Sequence, residues 1–217
     1  MQFDGQRVCG VPDHVGNESC LWPFLDVAVF ASGKLGQVNM ADAAEFACAA
    51  WSAVCGIRLV LTNNSRTAHI VMGSGTIDGP NGTLAWSELP CGFAPTQWRQ
   101  LQQKYDTGEL WTLAENPPND RIDAGRVVCH ELGHALGAGH GQSGNLMAPT
   151  YSRTIRLPQR GDILEMVDRY GKRADAPPTP PVPPPTPEPP TQPPTSADVT
   201  IMVSFGGKTY SGTLRQS

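Results

Sequence analysis

Long apolar runs and an excess of positive charge are both missing from this sequence of 217 residues. No segment is long and apolar enough to cross a membrane as a helix, and residues 1–7 lack the basic start that precedes the apolar stretch of a secretory signal. The 16 Lys and Arg are outnumbered by 20 Asp and Glu, which gives a formal net charge of −4. We therefore predict no membrane span, and we expect neither nucleic acid nor an anionic membrane as the principal partner.

Histidine is also scarce, yet three of the five histidines lie within residues 130–140. His130 and His134 are four positions apart, which places both rings on one face of a helix with Glu131 beside them. Two glycines after the helix let the chain turn back and bring His140 to the same metal ion. The pattern predicts an open catalytic zinc site with three imidazole ligands, a position left for water, and Glu131 as the base.

The short form of this pattern also occurs by chance in amphipathic helices, but the full pattern fixes three histidines, a glutamate and a glycine. It resembles the zinc signature of the metzincin metalloproteases. Met147 and the surrounding residues 145–151 resemble the Met-turn and pocket wall of the matrixin branch. The resemblance implies that Met147 forms an apolar floor beneath the imidazoles. The two remaining histidines, His14 and His69, are interpreted as a polar loop residue and a strand-end residue.

The matrixin resemblance implies a substrate pocket for the side chain that follows the scissile bond. Residues 148–151 would line this pocket, and they include Pro149 and Tyr151. Arg126, one helical turn before His130, stands where the family has the pocket floor. We expect its long side chain to make the pocket shallow.

Residues 78–85 resemble the calcium-binding loop of the matrixins, and residues 105–112 resemble its partner strand. The resemblance implies three carboxylate ligands for calcium, Asp78, Asp106 and Glu109. These residues have an alternative interpretation as ordinary solvated acids of turns and strands. Matrixins also hold a structural zinc through histidines, and non-matching residues occupy two of those positions here, Trp86 and Lys104. We therefore expect zinc at the catalytic site and calcium at the loop, without a structural zinc.

The six cysteines form an even set that permits up to three disulfides. Cys9 has two competing interpretations. Its flanking residues resemble the matrixin cysteine switch, in which a propeptide thiolate occupies the fourth zinc position, whereas a structural bridge from Cys9 to Cys20 is the alternative. Cys48 and Cys55 are separated by two helical turns, too far for a direct bond. Cys129 is expected to be a core residue.

The pattern of apolar residues predicts an α+β domain with a metzincin-type twisted sheet, a long zinc-binding helix, a Met-turn and a closing helix. Asn39 and Asp42 are candidate caps for the first helix. The predicted helices cover residues 39–54, 122–136 and 159–170. The predicted strands cover residues 25–30, 57–61, 68–72 and 83–86. Residues 95–105 have helix-like polarity and are interpreted as part of a local insertion.

The composition changes after Gly171, because residues 177–194 contain twelve prolines. Such a segment is typical of an extended polyproline linker. Beyond it, residues 199–205 alternate apolar and polar side chains and predict a hairpin with residues 208–214. The hairpin has four interpretations: pairing with another chain, docking on a host structure, the start of a domain cut short, or a frayed tail. The predicted organisation is an N-terminal segment, a catalytic domain, a linker and a hairpin-like segment, at residues 1–20, 21–173, 174–197 and 198–217.

These features predict a zinc-dependent endopeptidase that acts on proteins or peptides. The matrixin resemblance implies an extracellular location, and the export route would then depend on a natural start missing from this sequence or on release by lysis, as in phage release. The alternative is a catalytically latent metzincin-like binding or virion structural module. Glu131 argues against this alternative, because a binding module has no need of a base beside the metal.

Overall fold

The structure is a computed structural model that describes residues 20–173, 199–205 and 208–214. Within these residues the helices are α1 (Met40–Ser52), α2 (Ala124–Ala135) and α3 (Arg160–Tyr170). The strands are β1 (Asp26–Ala31), β2 (Lys34–Leu35), β3 (Val38–Asn39), β4 (Arg58–Leu61), β5 (Ile70–Gly75), β6 (Ala85–Ser87), β7 (Leu101–Asp106), β8 (Trp111–Thr112), β9 (Ile122–Asp123), β10 (Val199–Phe205) and β11 (Lys208–Leu214). None of the helices in this part of the chain has the length and apolar character that a membrane crossing requires.

The main sheet has five strands in the order β4-β1-β5-β7-β6. The first four run parallel to one another, and β6 pairs antiparallel with β7 at one edge. Val27 and Val29 alternate with more exposed residues along β1 and are fully buried. Helices α1 and α2 pack against each other, and both contact the sheet. The α+β architecture predicted from the sequence is confirmed.

Helix α1 begins where the sequence predicts, because the Asn39 side chain caps it by accepting a hydrogen bond from the Ala41 backbone N–H at 3.3 Å. Its buried face is rich in alanine, which lets the helix approach its neighbours closely. Trp51, fully buried, donates its indole N–H to the Cys129 backbone oxygen at 2.8 Å. This hydrogen bond ties α1 to the residue just before the first histidine of α2.

The helix-like polarity of residues 95–105 does not correspond to a helix, since β7 begins at Leu101. In this strand Leu101, Gln103 and Tyr105 are buried, and the intervening Gln102 and Lys104 are more exposed. The period of two fits a strand, and the polar Gln103 is tolerated inside because hydrogen bonds satisfy its amide. The strand lies between β5 and β6, where it completes the sheet beneath α2.

The structure pairs Cys20 with Cys91 in a disulfide, which overturns the alternative bridge from Cys9 to Cys20. An antiparallel β-bridge brings these two residues together across a sequence separation of 71, so the partner was not visible from local spacing. Cys9 itself lies outside the described residues. The remaining described cysteines are buried free thiols, Cys48, Cys55 and Cys129, which confirms that Cys129 is a core residue.

The predicted C-terminal hairpin is confirmed, because β10 and β11 pair antiparallel from Val199 opposite Leu214 to Phe205 opposite Lys208. Strand β10 lies beside α1 of the same chain. The proline-rich segment at residues 177–194 lies outside the described residues.

Candidate metal centre

The histidine cluster consists of His130, His134 and His140, and it is built by the end of α2 and the turn that follows. Asp123 caps the start of the helix by accepting a hydrogen bond from the Arg126 backbone N–H at 3.3 Å. His130 and His134 project from one face of the helix, and their Nε2 atoms are 3.1 Å apart.

Gly137 follows the end of α2 and has a φ of 96°, a backbone conformation that glycine adopts easily because it has no side chain. A Cβ at this position would also collide with the backbone oxygen of Cys20. The turn brings the His140 ring to centroid distances of 5.8 Å from the His130 ring and 4.9 Å from the His134 ring. The predicted return of the chain is therefore confirmed.

Backbone oxygens orient two of the three rings. Nδ1 of His130 lies 2.7 Å from the Leu146 oxygen, and Nδ1 of His134 lies 2.8 Å from the Ala138 oxygen. A carbonyl oxygen only accepts, so each Nδ1 carries the hydrogen and each Nε2 presents its lone pair to the centre of the cluster. Burial lowers the pKa of His130 to about 4 and lowers that of His134 well below its usual value. Both rings are therefore held neutral, which is the form that binds metal.

The geometry of the cluster fits zinc. One ligand atom from each histidine can be chosen so that all three lie within 4.8 Å of one another. Two nitrogens bound to a tetrahedral zinc are about 3.3 Å apart for bonds of about 2.05 Å. The observed Nε2 separation of 3.1 Å between His130 and His134 is close to this value. Three imidazole ligands would leave one tetrahedral position for a further ligand.

Glu131 follows His130 in α2 and is fully buried. Its backbone oxygen accepts a hydrogen bond of 2.7 Å from the Gln103 amide of β7. The same amide donates to the Ser87 hydroxyl at 2.9 Å, and Tyr105 donates its hydroxyl to the Gln103 oxygen at 2.8 Å. These buried hydrogen bonds fix the distance between Glu131 and the sheet.

Met147 is fully buried and lies against α2 at Gly133, where an added Cβ would collide with the methionine sulfur. Asp162 of α3 accepts hydrogen bonds from the backbone N–H groups of Leu146 at 2.8 Å and Met147 at 3.1 Å. The carboxylate of α3 thus holds the methionine turn, and Leu146 in turn orients His130.

A cavity of about 20 Å³ opens beside His130, which is room for one or two water molecules. Arg126 and Tyr151 both line it, and Pro149 lies between the lining residues Ala148 and Thr150. The Arg126 guanidinium donates to the Ser152 oxygen and lies 5.2 Å from the centre of the Tyr151 ring. The structure thus brings Arg126 and Tyr151 together at one cavity.

The acidic loop comprises residues 76–83 with the two acids that face it, Asp106 and Glu109. Asp106 Oδ2 accepts from the backbone N–H groups of Asp78 at 3.1 Å and Gly79 at 2.8 Å. Glu109 accepts from the Asn81 N–H at 2.7 Å. The Asp78 carboxylate accepts from Thr83 within the loop. The three acids therefore belong to one structural unit, but among the described residues only the histidine cluster brings three metal-ligating side chains within 4.8 Å.

Three residues that shape the site were not predicted from the sequence, Gln103, Asp123 and Asp162. Asp123 directly before a helix and Asp162 three positions after Gln159 are recognisable capping patterns. Neither pattern reveals the distant partner, because the same carboxylates also bind residues more than ten positions away.

A family model of the matrixins matches residues 28–171. Mouse matrix metalloproteinase-25 is 36% identical over 111 residues, which is 47% of this chain and 17% of that protein. Human matrilysin is 33% identical over 128 residues, 57% of this chain and 44% of that protein. Human matrix metalloproteinase-19 is 32% identical over 153 residues, 64% of this chain and 28% of that protein. The chain thus spans less than half the length of these relatives.

Proposed function

Since the chain belongs to the matrixin family, we propose that it is a zinc-dependent endopeptidase that hydrolyses peptide bonds in proteins, with Glu131 as general base. The observation that carries this proposal is the convergence of three imidazoles, two of them on the helix that also carries the buried Glu131. Three protein ligands would leave a bound metal one coordination position for water, as in catalytic rather than structural zinc sites.

His130, His134 and His140 would hold the metal. Zinc bound to three imidazoles lowers the pKa of a water molecule to about 7 and polarises a carbonyl group. Glu131 accepts the proton of the attacking water on its carboxylate and returns it to the leaving amine. Met147 forms the apolar base of the site, and its turn keeps the Leu146 oxygen in place against His130.

We propose that the cavity beside His130 receives the side chain after the scissile bond. Arg126 occupies its wall and leaves little depth, which supports a preference for short side chains. A peptide library that showed a preference for long side chains at this position would contradict the proposal.

We propose calcium binding at the acidic loop through Asp78, Asp106 and Glu109 together with backbone oxygens. The support is that three carboxylates are gathered in one unit whose loop closes through them. We also propose that residues 21–173 form the catalytic domain and that the protein acts outside the cell. Two further proposals are that the C-terminal hairpin docks on another chain and that Cys9 acts as a cysteine switch.

The proposed function is tested by comparing the wild type with Glu131→Ala on a quenched peptide library, with bound zinc measured in both proteins. We expect cleavage by the wild type, loss of cleavage in Glu131→Ala, and equal zinc content. Glu45→Ala is the matched control, because Glu45 is an exposed glutamate on α1. Equal activity in wild type and Glu131→Ala, or no activity in zinc-loaded protein after removal of residues 1–13, would favour the binding-module alternative.

A further inference from the structure

Arg126 lines the pocket beside His130, and it belongs to a group of two arginines and one aspartate that are all buried. Arg126 is 3% exposed, Arg156 is 8% exposed and Asp123 is fully buried. Burial of a charge is expensive unless an opposite charge or several hydrogen bonds compensate it. The three groups together leave one positive charge to be compensated.

Asp123 forms an ion pair with Arg156. Its Oδ2 lies 2.8 Å from Arg156 Nε, and its Oδ1 lies 3.5 Å from Arg156 Nη2. Arg156 is further held by the Leu113 oxygen at 2.9 Å and lies 4.5 Å above the Phe46 ring. Asp123 is also near enough to attract the charge of Arg126, but its hydrogen bond to Arg126 is to the backbone N–H.

Arg126 therefore carries the charge that remains. Its guanidinium donates one hydrogen bond to the Ser152 oxygen and stacks on Tyr151. Its Nε is buried without a hydrogen-bond partner, and no carboxylate of the described residues lies within ion-pair distance of it. A cation–π contact contributes about 0.5–2 kcal/mol and does not neutralise the charge.

The pocket that Arg126 lines has no acidic residue in its wall. The other lining residues are apolar or neutral, apart from His130, which belongs to the metal centre. A carboxylate that pairs directly with the Arg126 guanidinium can therefore enter from the pocket, whose small volume of about 20 Å³ favours a short group.

We infer that this pocket selects an aspartate at the position that follows the scissile bond. The inference rests on the proposed peptidase function. A carboxylate accepts hydrogen bonds from Arg Nε and a terminal nitrogen together, a geometry that neither an asparagine amide nor an apolar side chain reproduces with equal strength. An aspartate is also short enough for the shallow pocket.

The test uses quenched peptides that are identical except for this one position, which is Asp, Asn, Glu or Leu. For the zinc-loaded wild type we expect kcat/KM for the Asp peptide to exceed that for the Asn peptide by roughly 10-fold or more, because a hydrogen-bonded charge pair is at stake. Arg126→Leu should lose this preference and favour the Leu peptide, and Arg126→Lys should keep part of it. Arg66→Leu removes an exposed arginine far from the pocket in sequence and should leave the preference intact.

A binding measurement separates this inference from the proposed function. The affinities of the same uncleaved peptides for zinc-loaded Glu131→Ala are measured by calorimetry, and the Asp peptide should bind more tightly than the Asn peptide. A wild type that cleaves the Leu peptide better than the Asp peptide would leave the peptidase in place and overturn the inference. If no peptide is cleaved, equal affinities for the Asp and Asn peptides overturn it. If Arg126→Leu fails to fold, the wild-type ratio and Arg126→Lys still decide.

Discussion

The histidine cluster and the acidic loop both gather metal-ligating side chains, but they are organised in opposite ways. At the histidine cluster, backbone oxygens bind the Nδ1 atoms of His130 and His134 and leave the ligating Nε2 atoms facing inward. At the acidic loop, backbone N–H groups donate directly to the carboxylate oxygens of Asp106 and Glu109. The first region is ordered around a metal position, and the second is ordered around its own carboxylates.

This difference shows where each region gets its stability. Although burial acts to raise the pKa of Asp106, N–H donors from Gly108, Asp78 and Gly79 lower it below its usual value. The ionised carboxylate therefore closes the loop by itself, and calcium would reinforce a loop that is already folded. At the histidine cluster two rings are held by backbone oxygens, and a bound metal would add bonds that join all three rings.

The largest effect is expected from His134→Ala, which breaks the histidine cluster. The variant should lose bound zinc and all measurable peptide cleavage. Zinc content by atomic absorption and cleavage of the quenched library check this. His69→Ala is the control, because His69 lies outside the cluster, and full zinc content in His134→Ala would contradict the prediction.

Asp162→Asn tests the support of the cluster rather than its ligands. The amide cannot accept from both Leu146 and Met147, so the turn that orients His130 loosens. We expect zinc affinity or activity to fall by about 10–100-fold, as for other residues that orient metal ligands. A chelator competition assay measures the affinity. Asp168→Asn, an exposed aspartate of the same helix, should behave as the wild type.

Asp106→Ala breaks the acidic loop. Three backbone N–H groups lose their acceptor, from Asp78, Gly79 and Gly108. We expect the free energy of unfolding to drop by about 2–4 kcal/mol and the melting temperature to stop responding to calcium. Denaturant titration with and without calcium measures both. Asp120→Ala, in an exposed loop, is the control, and an unchanged calcium response in Asp106→Ala would remove Asp106 from the ligand set.

The smallest expected effect is on the pH dependence of stability and concerns His69. Its Nδ1 accepts a hydrogen bond, whereas the Nδ1 atoms of His130 and His134 donate. The His69 Nδ1 receives the Ala28 backbone N–H at 2.8 Å, and burial lowers the pKa of His69. Protonation of Nδ1 would remove this acceptor. The pKa of His69 is lower in the folded protein than the unfolded value of about 6.5. The neutral ring therefore stabilises the fold fully above about pH 6.5, and this contribution is lost as the pH falls from there through the folded pKa. His69→Gln should show a shallower loss of stability between pH 7.5 and 5 than the wild type, and parallel curves would contradict this.

The sequence predicts best what short-range geometry determines. The spacing of His130 and His134, the cap at Asn39, and the bounds of α1, α2 and α3 depend on neighbours within a few residues. The Met-turn was recognised for the same reason, because its distance from His140 along the chain is short.

Features that depend on distant partners were missed or wrong. Residues 95–105 have a composition typical of a solvated helix, and only the place of β7 between two other strands makes Leu101 a strand residue. The bridge of Cys20 depends on a partner 71 positions away, and any of several pairings satisfies local spacing. The charge balance around Arg126 could not be predicted either, because it depends on the ion pair between Asp123 and Arg156. These two residues are distant in sequence and meet only in the fold.

The disulfide between Cys20 and Cys91 makes a closed ring of the chain that contains β1 to β6. The exposed stretch at residues 63–67 lies within this ring and is the kind of loop that proteases nick. A peptidase at working concentration meets its own copies, and a cut at this loop would leave both fragments covalently joined. Such self-cleaved protein would migrate as an intact chain on a gel until a reducing agent opened the ring.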